Sequence, residues 1–158
     1  MYSTRIYASW KKKQLQKYAE LIPRIKKHLQ GVRSVIDIGI GPAWIYSSFE
    51  ENGVFFERIV GVDPDPEIIE PRRHGIDYHV TEWFATNEKF DLLVCFDALH
   101  LIAEPLKLLG YVRPAGLALL SVPKRHESLL KQFMSNKVME KGKIGKDEED
   151  FFILIKVK

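Results

Sequence analysis

Residues 35–43 read Val-Ile-Asp-Ile-Gly-Ile-Gly-Pro-Ala, an apolar run broken by one carboxylate and closed by two glycines. Strand alternation sends Val35, Asp37 and Gly39 to one side and Ile36 and Ile38 to the other. An aspartate in such a strand is costly to bury unless something pairs with it. The glycines let backbone approach a ligand closely, and the residues after Pro42 suit a helix start whose N–H groups face that ligand. The segment therefore reads as the first strand and loop of a nucleotide-type cofactor site.

Two cofactor classes use that arrangement. A dinucleotide fingerprint starting at Gly39 needs a third glycine where Trp44 stands, and an indole there obstructs helix–strand packing. The form D-x-G-x-G-x-G fits better, with Asp37, Gly39, Gly41 and then Ala43. On these residues the chain resembles the class I S-adenosylmethionine (SAM) dependent methyltransferases. The resemblance implies that Asp37 lies near the ammonium of the methionine moiety and that the Gly39–Gly41 loop passes beneath the cofactor.

Further segments follow in order. Ile59-Val60-Gly61-Val62-Asp63 reads as a buried strand ending in an acid, 24 residues beyond Gly39, close to the roughly 20-residue spacing of a ribose-binding carboxylate. Asp63-Pro64-Asp65-Pro66 also suits a turn and a helix N-cap; its place behind Asp37 and the glycines favours the ribose reading. The resemblance implies that Pro64 lies against the adenine. After a strand at 76–80, the resemblance implies an acid and a neighbour that contact the adenine; Glu82 and Trp83 offer an acceptor and a stacking face there, although Trp83 suits an ordinary core as well. Residues 90–100, Phe-Asp-Leu-Leu-Val-Cys-Phe-Asp-Ala-Leu-His, resemble the family's fourth strand, after which Asp97 and His100 border the methyl donor. Residues 108–121 resemble its turn into strand five, with Ala115 in place of the first glycine of a usual pair. The tetrapeptide found in enzymes that methylate exocyclic base amines is missing, which argues against that reaction.

The fold class expected is α/β: a doubly wound, mostly parallel seven-stranded sheet, Rossmann-like, with an N-terminal helical segment. Strands are expected near 34–39, 58–63, 76–80, 91–96 and 116–122, with helix over 127–135. An antiparallel pair over 138–144 and 151–157 closes the sheet, and the resemblance puts 151–157 between strands five and six. The intervening Lys146-Asp147-Glu148-Glu149-Asp150 reads as a solvated loop. At 158 residues, 46% hydrophobic, the chain is expected to form one domain, with 1–33 a basic helical lid and 34–158 the core. No apolar run approaches the roughly 20 residues needed to span a bilayer. Residues 1–13 hold no signal-peptide apolar segment. Cys95 is the one cysteine, which excludes an internal disulfide and agrees with a reducing cytoplasm. No metal is implied, since His74, Asp77 and His79 lack a convincing further ligand.

Leu15, Tyr18, Ile22, Ile25 and Leu29 form one apolar stripe on an N-terminal helix, which Pro23 is expected to kink or split. Residues 1–34 hold nine Lys/Arg and one acid, net +8, against −5 for the remainder. That face reads as solvated surface or as a guide for RNA. No segment remains for an inserted substrate domain, so the site is expected to be open. That favours RNA or protein over a small molecule as methyl acceptor, or a pocket completed by a second copy or a partner subunit. A base is needed only if the acceptor loses a proton; His100 is the candidate, and an ordinary satisfied histidine is the alternative. A SAM-binding regulatory subunit without turnover remains open, and a nicotinamide-linked oxidoreductase is disfavoured by Trp44 and Asp37.

Overall fold

A computed structural model describes residues 4–158. Seven strands, β1 (Ser34–Ile38), β2 (Arg58–Asp63), β3 (Ile76–Val80), β4 (Phe90–Cys95), β5 (Val112–Pro123), β6 (Lys137–Ile144) and β7 (Asp150–Lys156), form one sheet in the order β3-β2-β1-β4-β5-β7-β6. The first five pair in parallel. β7 runs antiparallel between β5 and β6, as the 151–157 segment was expected to do. The chain order reverses between β1 and β4, and ligands of open α/β sheets bind at such a switch point.

Period-two alternation divides the core into two faces. Val35, Leu92, Val94, Leu119, Phe152 and Leu154 face α1 (Thr4–Ile25) and α2 (Ile45–Glu51), meeting Leu21, Ile22, Ile25, Tyr46 and Phe49. Ile36, Val60, Leu93, Cys95, Ala118 and Ile153 face Leu99, Leu108, Leu130 and Phe133. The coverings of the second face are 3₁₀ segments, Leu99–Leu101, Pro105–Tyr111 and Lys124–Phe133. The α-helix expected over 127–135 is thus a 3₁₀ helix that starts at Lys124, and the segment containing His100 is a single turn. Four cationic or histidine residues and one acid among the ten of Lys124–Phe133 leave only Leu130 and Phe133 buried, a short apolar stripe.

α1 runs past Pro23 to Ile25 and tightens into a 3₁₀ turn at Lys26–His28, so the proline marks the end of the helix without splitting it. Strand five also begins earlier than 116. Val112 already pairs with Phe90, and a register shift absorbs the Arg113-Pro114-Ala115-Gly116 insertion. Ala115 and Ala43, the two alanines at positions where the family has glycine, both adopt left-handed backbone with φ of +65° and +60°. The turns keep the glycine conformation although the glycine is gone, at a cost of about 1–2 kcal/mol each.

Beside that apolar contact with the sheet, α1 and the turn after it meet the β6–β7 hairpin through charged side chains. The Arg24 guanidinium lies over the Phe152 ring, 4.9 Å from its centroid, and donates to the Lys141 carbonyl at 3.1 Å. Glu20 accepts the Gly145 N–H at 2.9 Å, Lys13 meets Glu148 at 3.0 Å, and Lys27 meets Glu140 at 3.6 Å. Part of the basic N-terminal charge is therefore neutralised inside the molecule. No helix among the described residues is long and apolar enough to cross a membrane.

Candidate functional site

The C-terminal ends of β1, β2 and β4 open onto a cleft of about 1620 Å³, roofed on one side by α1. Its nucleotide-like half is built around the Gly39–Gly41 loop. Gly39 has φ of +74°, and a Cβ there would stand 2.5 Å from the Cβ of Ala98, so both space and conformation require glycine. A Cβ on Gly41 would meet nothing within 4 Å, leaving that loop open toward the cleft.

Asp63 closes β2 and is 8% exposed. One carboxylate oxygen accepts the Gly41 N–H and the other the Asp65 N–H, each at 3.0 Å. The turn reading and the site reading of Asp63-Pro64-Asp65-Pro66 are thus compatible: one carboxylate caps the turn, holds the glycine loop and lines the cleft. Each oxygen keeps a lone pair for a further donor. Pro64, Glu82 and Trp83 line the same half. Trp83 is 46% exposed, so it is not core. It leans on Tyr111 with ring centroids 4.7 Å apart. The Tyr111 hydroxyl donates to the Phe84 carbonyl at 2.8 Å and accepts the Phe84 N–H at 3.0 Å, pinning the loop that carries Glu82 and Trp83.

Asp37 lies elsewhere. It is 3% exposed, does not line the cleft, and accepts the Tyr46 hydroxyl at 2.7 Å. Burial pushes its carboxyl up to about 8, the Tyr46 hydrogen bond opposes this, and Asp63 adds to the rise. The strand-one acid is paired, as burial demands, but its partner is a tyrosine of α2.

The other half of the cleft gathers residues far apart in sequence. Asp97 follows β4 in left-handed backbone, φ +56°, with its N–H on the Ser121 hydroxyl at 2.9 Å. Gln14 of α1 donates its amide to Asp97 Oδ2 at 3.0 Å. Lys17 of α1, buried, places Nζ 2.9 Å from Asp150 and 3.7 Å from Asp97. Burial and the adjacent Asp97 push the Asp150 carboxyl up, against the pull of Lys17. Gln14 Oε1 and Asp97 Oδ1 are buried without a hydrogen-bond partner. His100 also lines the cleft and stacks on His126, centroids 4.7 Å apart. Burial and then His126 hold its pKa below the usual value, so the ring is neutral at pH 7.

The run at 146–150 is an exposed loop through Glu148, as expected, and departs from that reading at its end. Glu148, Glu149 and Asp150 line the cleft, and Asp150 is 2% exposed. Sequence reasoning missed it because β7 begins at Asp150 and brings its side chain under α1. Gln14, Lys17 and Tyr46 were also missed. The signal for the first two was present: 14, 17, 21 and 25 share a helix face, and polar residues that continue an apolar stripe mark a buried polar contact.

Residues 9–145 match the family model described as a methyltransferase domain. No curated protein matches the sequence. Among solved structures, the 16S rRNA methylase RmtB is 20% identical with a TM-score of 0.67, over 92% of this chain and 64% of that one. The plantazolicin methyltransferase BpumL, solved with S-adenosylhomocysteine (SAH) and a desmethyl-plantazolicin analogue, is 12% identical with a TM-score of 0.66, over 94% and 85%. A putative methyltransferase in complex with the Trm112 activator of Haloferax volcanii is 13% identical with a TM-score of 0.63, over 95% and 97%. At these identities the likeness is one of fold.

Proposed function

This chain belongs to the methyltransferase-domain family, whose methyl donor is SAM, and from that premise we propose how the cleft holds the donor and what it methylates. The nucleoside half receives the adenosine: Asp63 accepts the ribose hydroxyls, Pro64 and Trp83 flank the adenine, and Glu82 accepts its amino group. Gly39 and Gly41 supply the close backbone beneath. The residues fit such a group, because Asp63 presents a nearly buried carboxylate with spare acceptor capacity and the Gly41 loop is open where a side chain would intrude. The observation that carries the reading is the Gly41 N–H bonded to Asp63, which fixes the glycine loop and the acid as one unit.

When bound, SAM supplies a methyl group on a sulfonium, an excellent leaving group, so the protein's work is alignment and exclusion of water. α1 acts as the lid, with Trp10, Gln14 and Lys17 over the cleft. His100, neutral at pH 7, takes a proton from an acceptor that must lose one. The acceptor enters beside His100, Leu101 and Lys107.

The cleft exceeds the roughly 300–1,000 Å³ typical of small-ligand pockets, which leaves room for part of a large acceptor beside the donor. We therefore favour an RNA or protein acceptor, or an acceptor site completed by a second subunit. Calorimetry with SAM, SAH and NAD tests the donor: SAM and SAH bind at micromolar strength or better, and binding of NAD alone overturns the reading. Incubation with methyl-labelled SAM and separated RNA, protein and small-molecule fractions tests the acceptor. Label confined to the small-molecule fraction overturns the macromolecular assignment.

A further inference from the structure

The basic residues of α1 and the turn after it are largely spent inside the molecule. Lys13, Lys17 and Lys27 face acids, and Arg24 is bonded to the Lys141 carbonyl. Free positive charge gathers nearer the other end of the chain, where residues 124–143 hold six Lys/Arg and two acids. One of those acids, Glu140, shares the register of Leu154 on the α1 side of the sheet, where Lys27 and His28 meet it. Lys141 and Lys143 stand opposite Ile153 and Phe151, so both project from the second face of the edge strand β6. On that face the 3₁₀ helix Lys124–Phe133 packs against β5 and β7 through Leu130 and Phe133. Residues three apart eclipse in a 3₁₀ helix, so Arg125, Ser128 and Lys131 form one line, and all three are exposed. Among the described residues, no ion pair joins an acid to Arg125, Lys131, Lys141 or Lys143.

This row of cations is continuous with the cleft. Lys124 and Arg125 line it, and His126 stacks on His100, the proposed base. β6 runs toward the same end of the sheet, since Ile144 pairs with Asp150, itself in the cleft lining. Alternate residues of a strand lie about 6.6 Å apart, a step at which Lys141 and Lys143 can meet successive phosphates of an extended single strand. Resting on the macromolecular-acceptor reading above, we propose that Arg125, Lys131, Lys141 and Lys143 bind the phosphate backbone of a single-stranded RNA acceptor and lead its target nucleotide to His100. The cations repel one another when the face is empty, and a polyanion that neutralises them releases its own counterions. Contacts to phosphates give affinity and direction without sequence choice, so selection of the nucleotide is left to the cleft.

Fluorescence anisotropy of a labelled single-stranded RNA of mixed sequence, followed across salt concentrations, tests the track. The wild type binds with a log–log salt slope of about −3, as four phosphate contacts on a single strand require. Lys131→Gln, Lys141→Gln and Lys143→Gln combined reduce the slope to about −1 and weaken binding roughly a hundredfold near 0.1 M salt. Each single substitution removes about 0.7 from the slope, which tests the track in a lightly altered protein as well. SAH calorimetry on the triple variant is unchanged, because none of the three lines the cleft. Lys12→Gln with Lys26→Gln, at exposed positions of the N-terminal segment, leaves the slope as it was. No RNA binding by the wild type at about 50 mM salt overturns the inference, and so does a slope lost in the N-terminal variant but kept in the triple one. Poly-L-glutamate bound as tightly as RNA, and lost in the same triple variant, assigns the face to an acidic protein and overturns the RNA assignment. A wild type that binds RNA with the stated slope but no SAH removes the donor reading and leaves the track standing.

Discussion

The two halves of the cleft are made in different ways. At the centre of the nucleoside half, the glycine loop and its acid rest on contacts 22 residues apart or fewer, Gly41 to Asp63 and Asp63 to Asp65, made by backbone N–H groups. The other half rests on side chains separated by 83 residues, Gln14 to Asp97, or by 135, Lys13 to Glu148. A motif that is local in sequence is readable as a motif. A constellation assembled by tertiary packing is not, even when its members are charged or amide side chains.

The contrast can be broken first at Asp63. Asp63→Ala removes the acceptor of the glycine loop and of the proposed ribose bonds together. SAH affinity should fall by about tenfold to a hundredfold, roughly 1–3 kcal/mol. Asp63→Asn keeps an oxygen for Gly41 and should lie between. Calorimetry on both, with circular dichroism to confirm folding, sharpens the point: normal SAH binding by folded Asp63→Ala would reduce Asp63 to a turn residue.

A second comparison sets the two buried carboxyls against each other. Asp37, on the strand-one side, and Asp150, under α1, both have pKa values raised mainly by burial. The unfolded chain releases these protons near 3.8, whereas folded Asp37 holds its proton to about 8. The folded state thus binds more protons between those limits, and these groups stabilise it at the acid end and lose that contribution as pH rises toward 8. Thermal midpoints measured between pH 5 and 8 should fall, and Asp37→Asn should flatten the fall. A flat wild-type profile would mean that neither group is held protonated.

Smaller effects are expected at the surface. Ala115→Gly relieves left-handed strain at an exposed position and should raise stability by up to about 1 kcal/mol in urea unfolding. Lys13→Gln removes a largely exposed pair with Glu148 and should change stability by about 0–1 kcal/mol. A larger loss would show that this pair, and not the buried Lys17 cluster, holds α1 to the hairpin.

The sheet was legible because the near-continuous apolar runs at 59–62 and 92–96, each followed by an acid, and the run at 35–38 around Asp37 are what strands covered on both faces require. The order of β5, β7 and β6 came from family likeness, and periodicity alone did not contain it. Of the residues singled out, Gly39, Gly41, Asp63, Pro64, Glu82, Trp83, Asp97 and His100 meet in one cleft, while Asp37 does not. Side-chain alternation says which face Asp37 takes but not what it bonds; its partner is the hydroxyl of Tyr46, nine residues on. The solvated-loop reading of 146–150 holds for Lys146, Asp147 and Glu148 and fails at Asp150, which opens β7 and is turned inward by its antiparallel register against β5.

The bond between α1 and the final hairpin has a consequence for assembly in time. Closing a loop of more than a hundred residues is entropically slow relative to closing one of twenty. The glycine loop and its acid can therefore form from a single stretch of chain. The Lys17–Asp150 contact joins the first helix to the last strand and has to wait for nearly the whole sheet. A folding intermediate with the early half made and the late half open would hold the glycine loop on its acid and lack the Lys17–Asp150 contact, so that contact reports that the ends of the fold have met.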